Sequence, residues 1–536
     1  MKRVLTLLGA LNLVVLLAHA ALSWIEAGAA TYGERPHGQI VFYREIGARV
    51  AGFVERAAPD LLLAARPGAA EARIVGNITY PPDDRDARLR RAGHELTYAI
   101  AGDLVGADKF LDAYVLPLVL STLFALGALL VVAHTDAGSA PGTPRLIRRW
   151  AMAYVVVMGF AMPVLVPDFW LSFAWGRTLF WGGNPYYEVP AAAVQGLPFD
   201  APILKMTYGP LWALISWAIA GITRGSVLWS TLLFKALLVG TWIGILHLVH
   251  RLTSDRSVRE QSMALVVTGW LPLGAVQIGG DGHNDALMLF FILLWLFLTD
   301  RGQGRWATAA LALSVSVKYV SAPLFLLDLL LVKPRGVASP TIVQSVRAYV
   351  PHALIAVVIW VATFAPFFDS LAFFAETTAV REGYFYLPAD GVQAIGHLLG
   401  VNLILLALAV QLIFPLVTLW LLWRYWRAPS RESLHVAVAG MMLSVVFIAA
   451  GHVWPWYALW LTVPAALLAG SHLLSRWSLG VLIGAPFPLA VWTAYPEASE
   501  FRRFLLPSLV VYAFALAWML VAWRVYGRRV DAARAG

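Results

Sequence analysis

Long apolar runs alternate along this chain with short polar segments that are rich in arginine. Several runs reach the ~20 residues that a helix needs to cross the hydrocarbon core of a bilayer. They are unbroken, whereas strands of a membrane barrel alternate apolar and polar residues, so helices must satisfy the backbone hydrogen bonds. The pattern predicts an all-α, polytopic integral membrane protein with about fourteen membrane segments, two of them short.

The orientation of these segments follows from the positive-inside rule, which places arginine-rich loops in the cytoplasm. Lys2 and Arg3 put the N-terminus inside, and the first run is interpreted as an uncleaved anchor, although residues 18–20 resemble a signal-peptidase site. The apolar helix 208–222 is predicted to lie along the outer interface, because the arginines at 251–259 then face the cytoplasm. The predicted membrane segments are 4–24, 113–134, 151–166, 228–249, 262–278, 286–299, two half-helices within 306–332, 349–367, 402–424, 435–451, 455–471, 477–495 and 506–523.

The run 306–332 is too long for one comfortable span and contains Lys318 and Pro323. Lys333 just after it requires the cytoplasmic side again. We therefore expect a hairpin of two half-helices that turns at Lys318, which points into a cavity near the outer face. Broken helices of this kind are tolerated where protein shields them or where they line a cavity.

Three regions follow from this layout. Residues 1–134 form an N-terminal transmembrane pair with an external insert of short helices at 25–112. Residues 135–370 form a central transmembrane module with juxtamembrane helices on the exoplasmic side. Residues 371–536 supply C-terminal transmembrane helices, preceded by an external loop at 368–400.

The composition agrees with a multi-pass protein of a cytoplasmic membrane. It is 60% hydrophobic, with a mean hydropathy of +0.71, which soluble domains do not show. The net charge of +9 comes from arginines in loops between apolar runs, so it indicates membrane orientation and no nucleic-acid partner. The absence of cysteine excludes disulfides, thiolate nucleophiles and cysteine-ligated metals.

Three polar groups are predicted to meet on the outer face: Asp168, the stretch 281–285 and Lys318. Asp168 follows an apolar run directly, where a carboxylate belongs at the interface or in a polar cavity. A carboxylate with a nearby histidine can act as a general base towards a hydroxyl group. A recessed cation suits the phosphate of a lipid head group.

Each of these residues also has a plainer interpretation. Asp168 could merely mark a helix end, His283 and Asn284 could cap the helix that follows them, and Lys318 could extend to the interface. Arg177 could bind a phosphate or pair with Asp168.

A divalent metal is a further alternative, since Asp281, His283 and Asp285 offer three ligands close together in sequence. Their spacing matches no specific metal motif, and no metal is required in principle. We therefore expect no cofactor.

The order of these motifs resembles the GT-C superfamily of glycosyltransferases that use polyprenyl-phosphate sugars. It is most similar to the actinobacterial α-1,6-mannosyltransferases and the related enzymes that depend on polyprenol-phosphate mannose. The resemblance covers residues 150–370. Its pieces are Asp168, Trp175-Gly176-Arg177, Gly183-Asn184-Pro185-Tyr186, Tyr208-Gly209-Pro210-Leu211-Trp212, Gly280-Asp281-Gly282-His283-Asn284-Asp285-Ala286-Leu287-Met288 and Ser316-Val317-Lys318-Tyr319.

The resemblance implies transfer of a hexose from a polyprenyl-phosphate donor to a hydroxyl of a glycan or lipid acceptor, with inversion. Mannose is favoured, and pentoses such as arabinose remain open. Asp168 would be the general base, and Lys318 and Arg177 would bind the donor phosphate. The implied substrate-binding residues are His283, Asn284, Asp285, Tyr186 and Tyr208. This chain departs from the family pattern in two ways. Residues 1–134 match nothing in the family, and the chain lacks a convincing second acidic residue near Asp168.

A transporter or flippase for a polar or lipid-linked substrate is the rival hypothesis. It would use Asp168, Asp285 and Lys318 to couple ions or substrate. It also predicts acidic residues near the bilayer midplane, for which Asp328 is the main candidate, and symmetry between halves, which the sequence does not display.

Overall fold

The computed structural model describes residues 2–30, 73–75, 78–80, 107–134, 140–163, 168–194, 197, 205–332, 341–368, 400–445, 455–468 and 473–485, with a few positions between 513 and 520. The first half contains α1 (Lys2–Ala30), β1 (Arg73–Val75), β2 (Ile78–Tyr80), α2 (Ala107–His134), α3 (Thr143–Gly159), α4 (Asp168–Phe180), α5 (Ala191–Val194), α6 (Pro210–Thr223) and α7 (Val227–Leu252). The second half contains α8 (Val258–Gly269), α9 (Pro272–Gly274), a π-helix (Ala275–Gly280), α10 (Asp285–Asp300), α11 (Gly304–Val317), a 3-10 helix (Tyr319–Leu324), α12 (Phe325–Leu331), α13 (Ile342–Phe364), α14 (Ile404–Arg427), α15 (Arg431–Ser444), a second 3-10 helix (Pro455–Leu461), α16 (Thr462–Leu467) and α17 (Leu473–Gly484).

The helices confirm the predicted class, a multi-pass helical membrane protein. In the described part of the chain, five helices are long and apolar enough to cross a bilayer; they are Lys2–Ala21, Leu116–His134, Val227–Leu252, Val343–Phe364 and Leu408–Arg427. A sixth is formed if α8 and the segment Pro272–Gly280, bent by 44°, count as one span. Further apolar helices are shorter. The count of about fourteen segments stays a prediction, and most of the predicted span 506–523 lies outside the described residues.

The first helix belongs to the bundle. It packs against α2 and α3, and Tyr154 Oη donates a hydrogen bond to the carbonyl of Gly9 at 3.1 Å. The backbone N–H of Met162 donates to Ser23 Oγ at 2.9 Å. His19 and Ala20 are buried within this packed helix. Such packing is what we expect of an uncleaved anchor.

The predicted short helices of the insert are wrong for residues 73–75 and 78–80. The two strands there pair antiparallel, with Arg73 opposite Tyr80 and Val75 opposite Ile78. β-branched and aromatic residues favour strands, and the sequence joins the two strands through Gly76-Asn77, a connection typical of hairpins. Residues 31–72, 76–77 and 81–106 of the insert, and nearly all of the loop 368–400, lie outside the described residues.

The predicted break at Lys318 is confirmed. Helix α11 ends at Val317, and Lys318 has an extended backbone with φ −152° and ψ 121°. Thr308 Oγ1, near the start of α11, donates a hydrogen bond to Asp328 Oδ2 in α12 at 2.6 Å. The chain has therefore reversed direction, and the segment 304–331 forms a hairpin with Lys318 near its tip.

Polar residues gather at the two opposite ends of α10. At its last residue, Asp300 Oδ2 lies 2.7 Å from Arg431 Nη2, and Arg431 also pairs with Asp255. We call Arg251, Asp255, Asp300, Arg301 and Arg431 the arginine end. Asp285 begins α10, and sixteen helical residues separate the two ends by about 24 Å.

Candidate active site

Two glycines hold the elements of the site close together. A Cβ on Gly176 of α4 would lie 2.4 Å from the carbonyl oxygen of Ser216, so only glycine allows α4 and α6 to pack at this distance. The backbone N–H of Gly209 donates to the carbonyl of Val317 at 2.9 Å, and a Cβ there would lie 2.2 Å from the carbonyl oxygen of Ser316. Tyr208 is thereby fixed against the break that carries Lys318.

Asp168 is the first residue of α4 and the most accessible acid of the group, with its side chain 22% exposed. Tyr208 Oη donates a hydrogen bond to Asp168 Oδ2 at 2.7 Å. Burial raises the pKa of Asp168, while the hydrogen bond from Tyr208 and the charge of Lys318 oppose that rise. The carboxylate is therefore oriented by one donor and is more basic than an ordinary aspartate.

The turn 281–285 packs directly beside Asp168. Gly282 has a φ of +75°, and a Cβ there would lie 2.3 Å from the ring of Phe169. His283 Nδ1 is 3.8 Å from Asp168 Oδ2, beyond hydrogen-bond distance, and its ring stacks on Trp456 with centroids 4.3 Å apart. Burial lowers the pKa of His283 to about 3, so this ring is neutral at pH 7.

Lys318 lies in a cage of aromatic rings and does not extend to the interface. Its Nζ donates to Asp285 Oδ1 at 2.8 Å, and the same oxygen accepts from Trp460 Nε1 at 2.5 Å. The ammonium is 4.4 Å from the ring centroid of Tyr457, 5.1 Å from that of Tyr208 and 5.2 Å from that of Trp460. Cation–π contacts of this kind stabilise a buried ammonium group.

Several buried polar atoms of the turn have no hydrogen-bond partner among the described residues. They are both ring nitrogens of His283, both amide atoms of Asn284 and Oδ2 of Asp285. These residues are at most 3% exposed. Buried polar atoms are normally paired, and each unpaired one costs about 1–3 kcal/mol. A turn with this many unpaired polar atoms, beside the basic carboxylate of Asp168, is suited to bind a ligand with many hydroxyl groups.

The capping alternative for this turn is wrong. Asn284 occupies the N-cap position of α10, but its side chain makes no capping hydrogen bond. His283 also makes none. The two side chains therefore have no structural hydrogen bond to account for them.

Arg177 is a correction to the sequence analysis. Its Nε and Nη2 donate to the carbonyl of Gly225 at 3.2 and 2.8 Å, and its Nη1 donates to the carbonyl of Ala193 at 3.2 Å. The guanidinium therefore binds backbone carbonyls in α5 and just after the C-terminal end of α6. Neither of the predicted roles, binding a donor phosphate or pairing with Asp168, fits this position.

Tyr186 is a buried residue that contacts the backbone of Tyr208. It is 1% exposed, and its Oη donates to the backbone carbonyl of Tyr208 at 2.9 Å. Its ring packs edge-on against Phe367. The structure thus brings Tyr186 next to the predicted group as a residue that positions Tyr208.

The metal alternative at residues 281–285 has no geometric support. In the described part of the chain, no three His, Asp or Glu side chains are grouped as a metal site requires. Asp281 Oδ2 accepts from Gln277 Nε2 at 3.1 Å, and Asp285 is bound by Lys318. Lys235 donates to the carbonyls of Gly279 and Gly280 at the start of the turn.

Sequence reasoning missed the aromatic residues of the second 3-10 helix. It placed Trp456, Tyr457 and Trp460 in the predicted membrane segment 455–471 and gave none of them a role. The structure buries all three and places them against His283, Lys318 and Asp285. The available signal was the repeated aromatic pattern of 454–460, with Trp456 and Trp460 four residues apart.

This chain is similar to one family of proteins and to one individual relative. Residues 100–332 match the family model described as alpha-(1->6)-mannopyranosyltransferase, N-terminal domain. Alpha-(1->6)-mannopyranosyltransferase A from Mycobacterium tuberculosis is 24% identical over 412 residues, which cover 72% of this chain and 75% of the relative. The matched family region contains Asp168, the turn 281–285 and Lys318. It ends before the second 3-10 helix.

Proposed function

We propose that this chain is a membrane glycosyltransferase of the GT-C mannosyltransferase branch, and that it transfers mannose from a polyprenyl-phosphate donor to an acceptor hydroxyl with Asp168 as general base. The acceptor is a glycan or a lipid. One observation carries this proposal: the unpaired polar atoms of His283, Asn284 and Asp285 lie in a turn packed beside Asp168 and joined to Lys318. A sugar can satisfy them with its hydroxyl groups.

In the proposed reaction, the acceptor oxygen forms a bond to the anomeric carbon as the bond from that carbon to the phosphate oxygen breaks. The acceptor proton moves to Asp168, and the bonding electrons leave with the polyprenyl phosphate. Attack from the face opposite the phosphate inverts the anomeric configuration. The raised pKa of Asp168 supports its role, since a base works best when its pKa approaches the working pH.

Lys318 would stabilise the negative charge on the departing phosphate. Only one of its three ammonium N–H groups is needed for Asp285, so the other two are free to donate to phosphate oxygens. Asp285 and the aromatic cage hold this cation in place before the donor binds. A fixed cation aimed at developing charge is a large source of rate enhancement.

The arginine end supports an exoplasmic location for this site. Arginines concentrate on the cytoplasmic side of membrane proteins, and the turn 281–285 lies at the other end of α10, about 24 Å away. A donor anchored in the bilayer by its polyprenyl chain would present its phosphate and sugar at the exoplasmic surface, beside the turn 281–285. A nucleotide sugar from the cytoplasm would be on the wrong side.

The test is sugar transfer in detergent or membranes from a panel of radiolabelled polyprenyl-phosphate sugars. We expect turnover with the mannose donor and a loss of about 10²–10⁴-fold in Asp168→Asn, the usual contribution of a general base. The matched control is Glu188→Gln, which neutralises an exposed carboxylate in the same part of the chain. Donor binding should survive in Asp168→Asn. Full turnover in this variant, or turnover with another sugar donor alone, contradicts the proposal.

A further inference from the structure

A cavity lies at the arginine end, between the ends of α7 and α10 and the start of α15. Its volume is about 290 Å³. It is lined by three arginines (Arg251, Arg301 and Arg431), two carboxylates (Asp255 and Asp300) and Ser254. It is separate from the candidate active site, which lies at the opposite end of α10.

One arginine pairs with both carboxylates of the cavity. Arg431 pairs through Nη1 with Asp255 and through Nη2 with Asp300, and it also donates to the carbonyl of Leu252 at 2.7 Å. Its guanidinium is therefore held by α7 and α10 together. Its charge is already shared between the two acids.

The other two arginines have no carboxylate partner among the described residues. Arg251 makes only a long contact of 3.5 Å, from its Nε to His247 Nε2. The guanidinium of Arg301 lies 4.9 Å from the ring centroid of Phe297, which also lines the cavity. Since Arg431 offsets one of the two acidic charges, Arg251 and Arg301 leave the cavity with a net charge of about +1. Two guanidinium groups around one cavity are suited to a phosphate, which they bind through paired N–H donors.

The volume and position of the cavity restrict the kind of ligand that it can bind. Pockets for whole small molecules begin at about 300 Å³, so 290 Å³ fits a head group better than a nucleotide sugar. On the sidedness proposed above, the cavity opens between helices at the cytoplasmic surface. Basic pockets in that position bind anionic lipid head groups.

We propose that this cavity binds the phosphate head group of an anionic phospholipid from the cytoplasmic leaflet. Arg251 at the end of α7 and Arg301 at the end of α10 supply the donors, and the Arg431 network holds the two helix ends at a fixed separation. The bound lipid would bridge helices whose other ends approach the candidate active site. The site therefore makes the stability of this enzyme depend on lipid composition.

The experiment titrates the purified full-length protein in detergent with phosphatidylglycerol, phosphatidylcholine or inorganic phosphate and follows the midpoint of thermal unfolding. We expect phosphatidylglycerol alone to raise the midpoint at micromolar concentration. The double variant Arg251→Gln/Arg301→Gln should bind it about thirtyfold more weakly, since each basic residue near a membrane surface contributes about 1 kcal/mol. Arg305→Gln is the control, because Arg305 is an exposed arginine near the same end of α10 and does not line the cavity.

Equal lipid affinity in the wild type and the double variant would overturn the proposal. So would an equal effect of phosphatidylcholine, or an effect of inorganic phosphate that matches that of the lipid, which would indicate a site for a free anion. If the double variant fails to fold, Arg301→Lys replaces it in the same titration. Lysine keeps the charge and loses the paired donors, so an affinity that is unchanged in Arg301→Lys likewise counts against the site.

Discussion

Two buried carboxylates on or beside the hairpin 304–331 have different surroundings. Asp285 contacts the tip of the hairpin at Lys318. Its Oδ1 accepts from Lys318 Nζ and Trp460 Nε1, and its Oδ2 has no partner among the described residues. Asp328 lies on its second arm with both oxygens occupied. Oδ1 accepts from Trp295 Nε1 at 2.8 Å, and Oδ2 accepts from Thr308 Oγ1 at 2.6 Å and Tyr349 Oη at 2.8 Å.

On the proposed function, the difference separates a structural acid, Asp328, from a functional one, Asp285. Asp328 is bound by neutral donors from α10, α11 and α13, so it ties three helices together and leaves little capacity for a ligand. Asp285 has a cation as its partner, and its second oxygen is unpaired, as are the polar side-chain atoms of His283 and Asn284 in the same turn. The transporter hypothesis needs a buried acid that can exchange partners, and the filled oxygens of Asp328 do not favour that role.

The sharpest test of this comparison is Asp285→Asn. It removes the counter-charge of buried Lys318, and breaking a buried ion pair costs about 3–5 kcal/mol. We expect strong destabilisation and a loss of transfer activity of at least a hundredfold, measured by thermal unfolding and by turnover of the mannose donor. A variant that keeps wild-type turnover would mean that the pair is not part of the site.

The double variant Asp285→Leu/Lys318→Met separates stability from function. Replacing both partners of a buried pair by apolar residues is often neutral for stability. We therefore expect this variant to unfold at a temperature closer to the wild type than Asp285→Asn does, while remaining inactive. Recovery of activity together with stability would show that Lys318 has no role beyond the pair.

Tyr208→Phe extends the comparison to Asp168. The hydrogen bond from Tyr208 lowers the pKa of Asp168 against the effect of burial, so its removal raises that pKa further. Hydrogen bonds to charged groups contribute about 1.5–3 kcal/mol, which corresponds to roughly 1–2 pH units. The acidic limb of the pH–activity profile should shift upward by about this amount, with turnover lost below the new midpoint. An unchanged midpoint would argue that Asp168 is not the titrating base.

Asp328→Asn should have the smallest effect on catalysis. It weakens three hydrogen bonds far from the turn 281–285, so we expect a destabilisation of about 1–3 kcal/mol and turnover within about twofold of the wild type. The same unfolding and transfer assays apply. A loss of turnover as large as that of Asp285→Asn would remove the distinction between the two acids.

Charge and hydropathy predicted much of this arrangement. The positive-inside rule placed Asp168, residues 281–285 and Lys318 on one face, and the excess length of the run 306–332 predicted the break at Lys318. The structure brings these residues together. Their individual contacts, such as the pairing of Lys318 with Asp285, had no local signature.

Two errors have clear physical reasons. Arg177 follows Asp168 by nine residues of one helix, which separates them by about 13 Å, although the sequence suggests neighbours. Trp460 lies 175 residues from its partner Asp285, and nothing in a single sequence indicates a contact over that separation.

The contribution of Trp460 also bears on how the enzyme is made. Synthesis delivers Asp168 first, then the turn 281–285 and Lys318, and the indole that donates to Asp285 only much later. Until the second 3-10 helix has been made, Asp285 lacks the hydrogen bond from Trp460, and His283 lacks its stacking partner Trp456. On the proposed function, the site is therefore completed late in biogenesis, after most of the helices have been inserted, and an interrupted translation product would reach the bilayer unable to use the proposed donor.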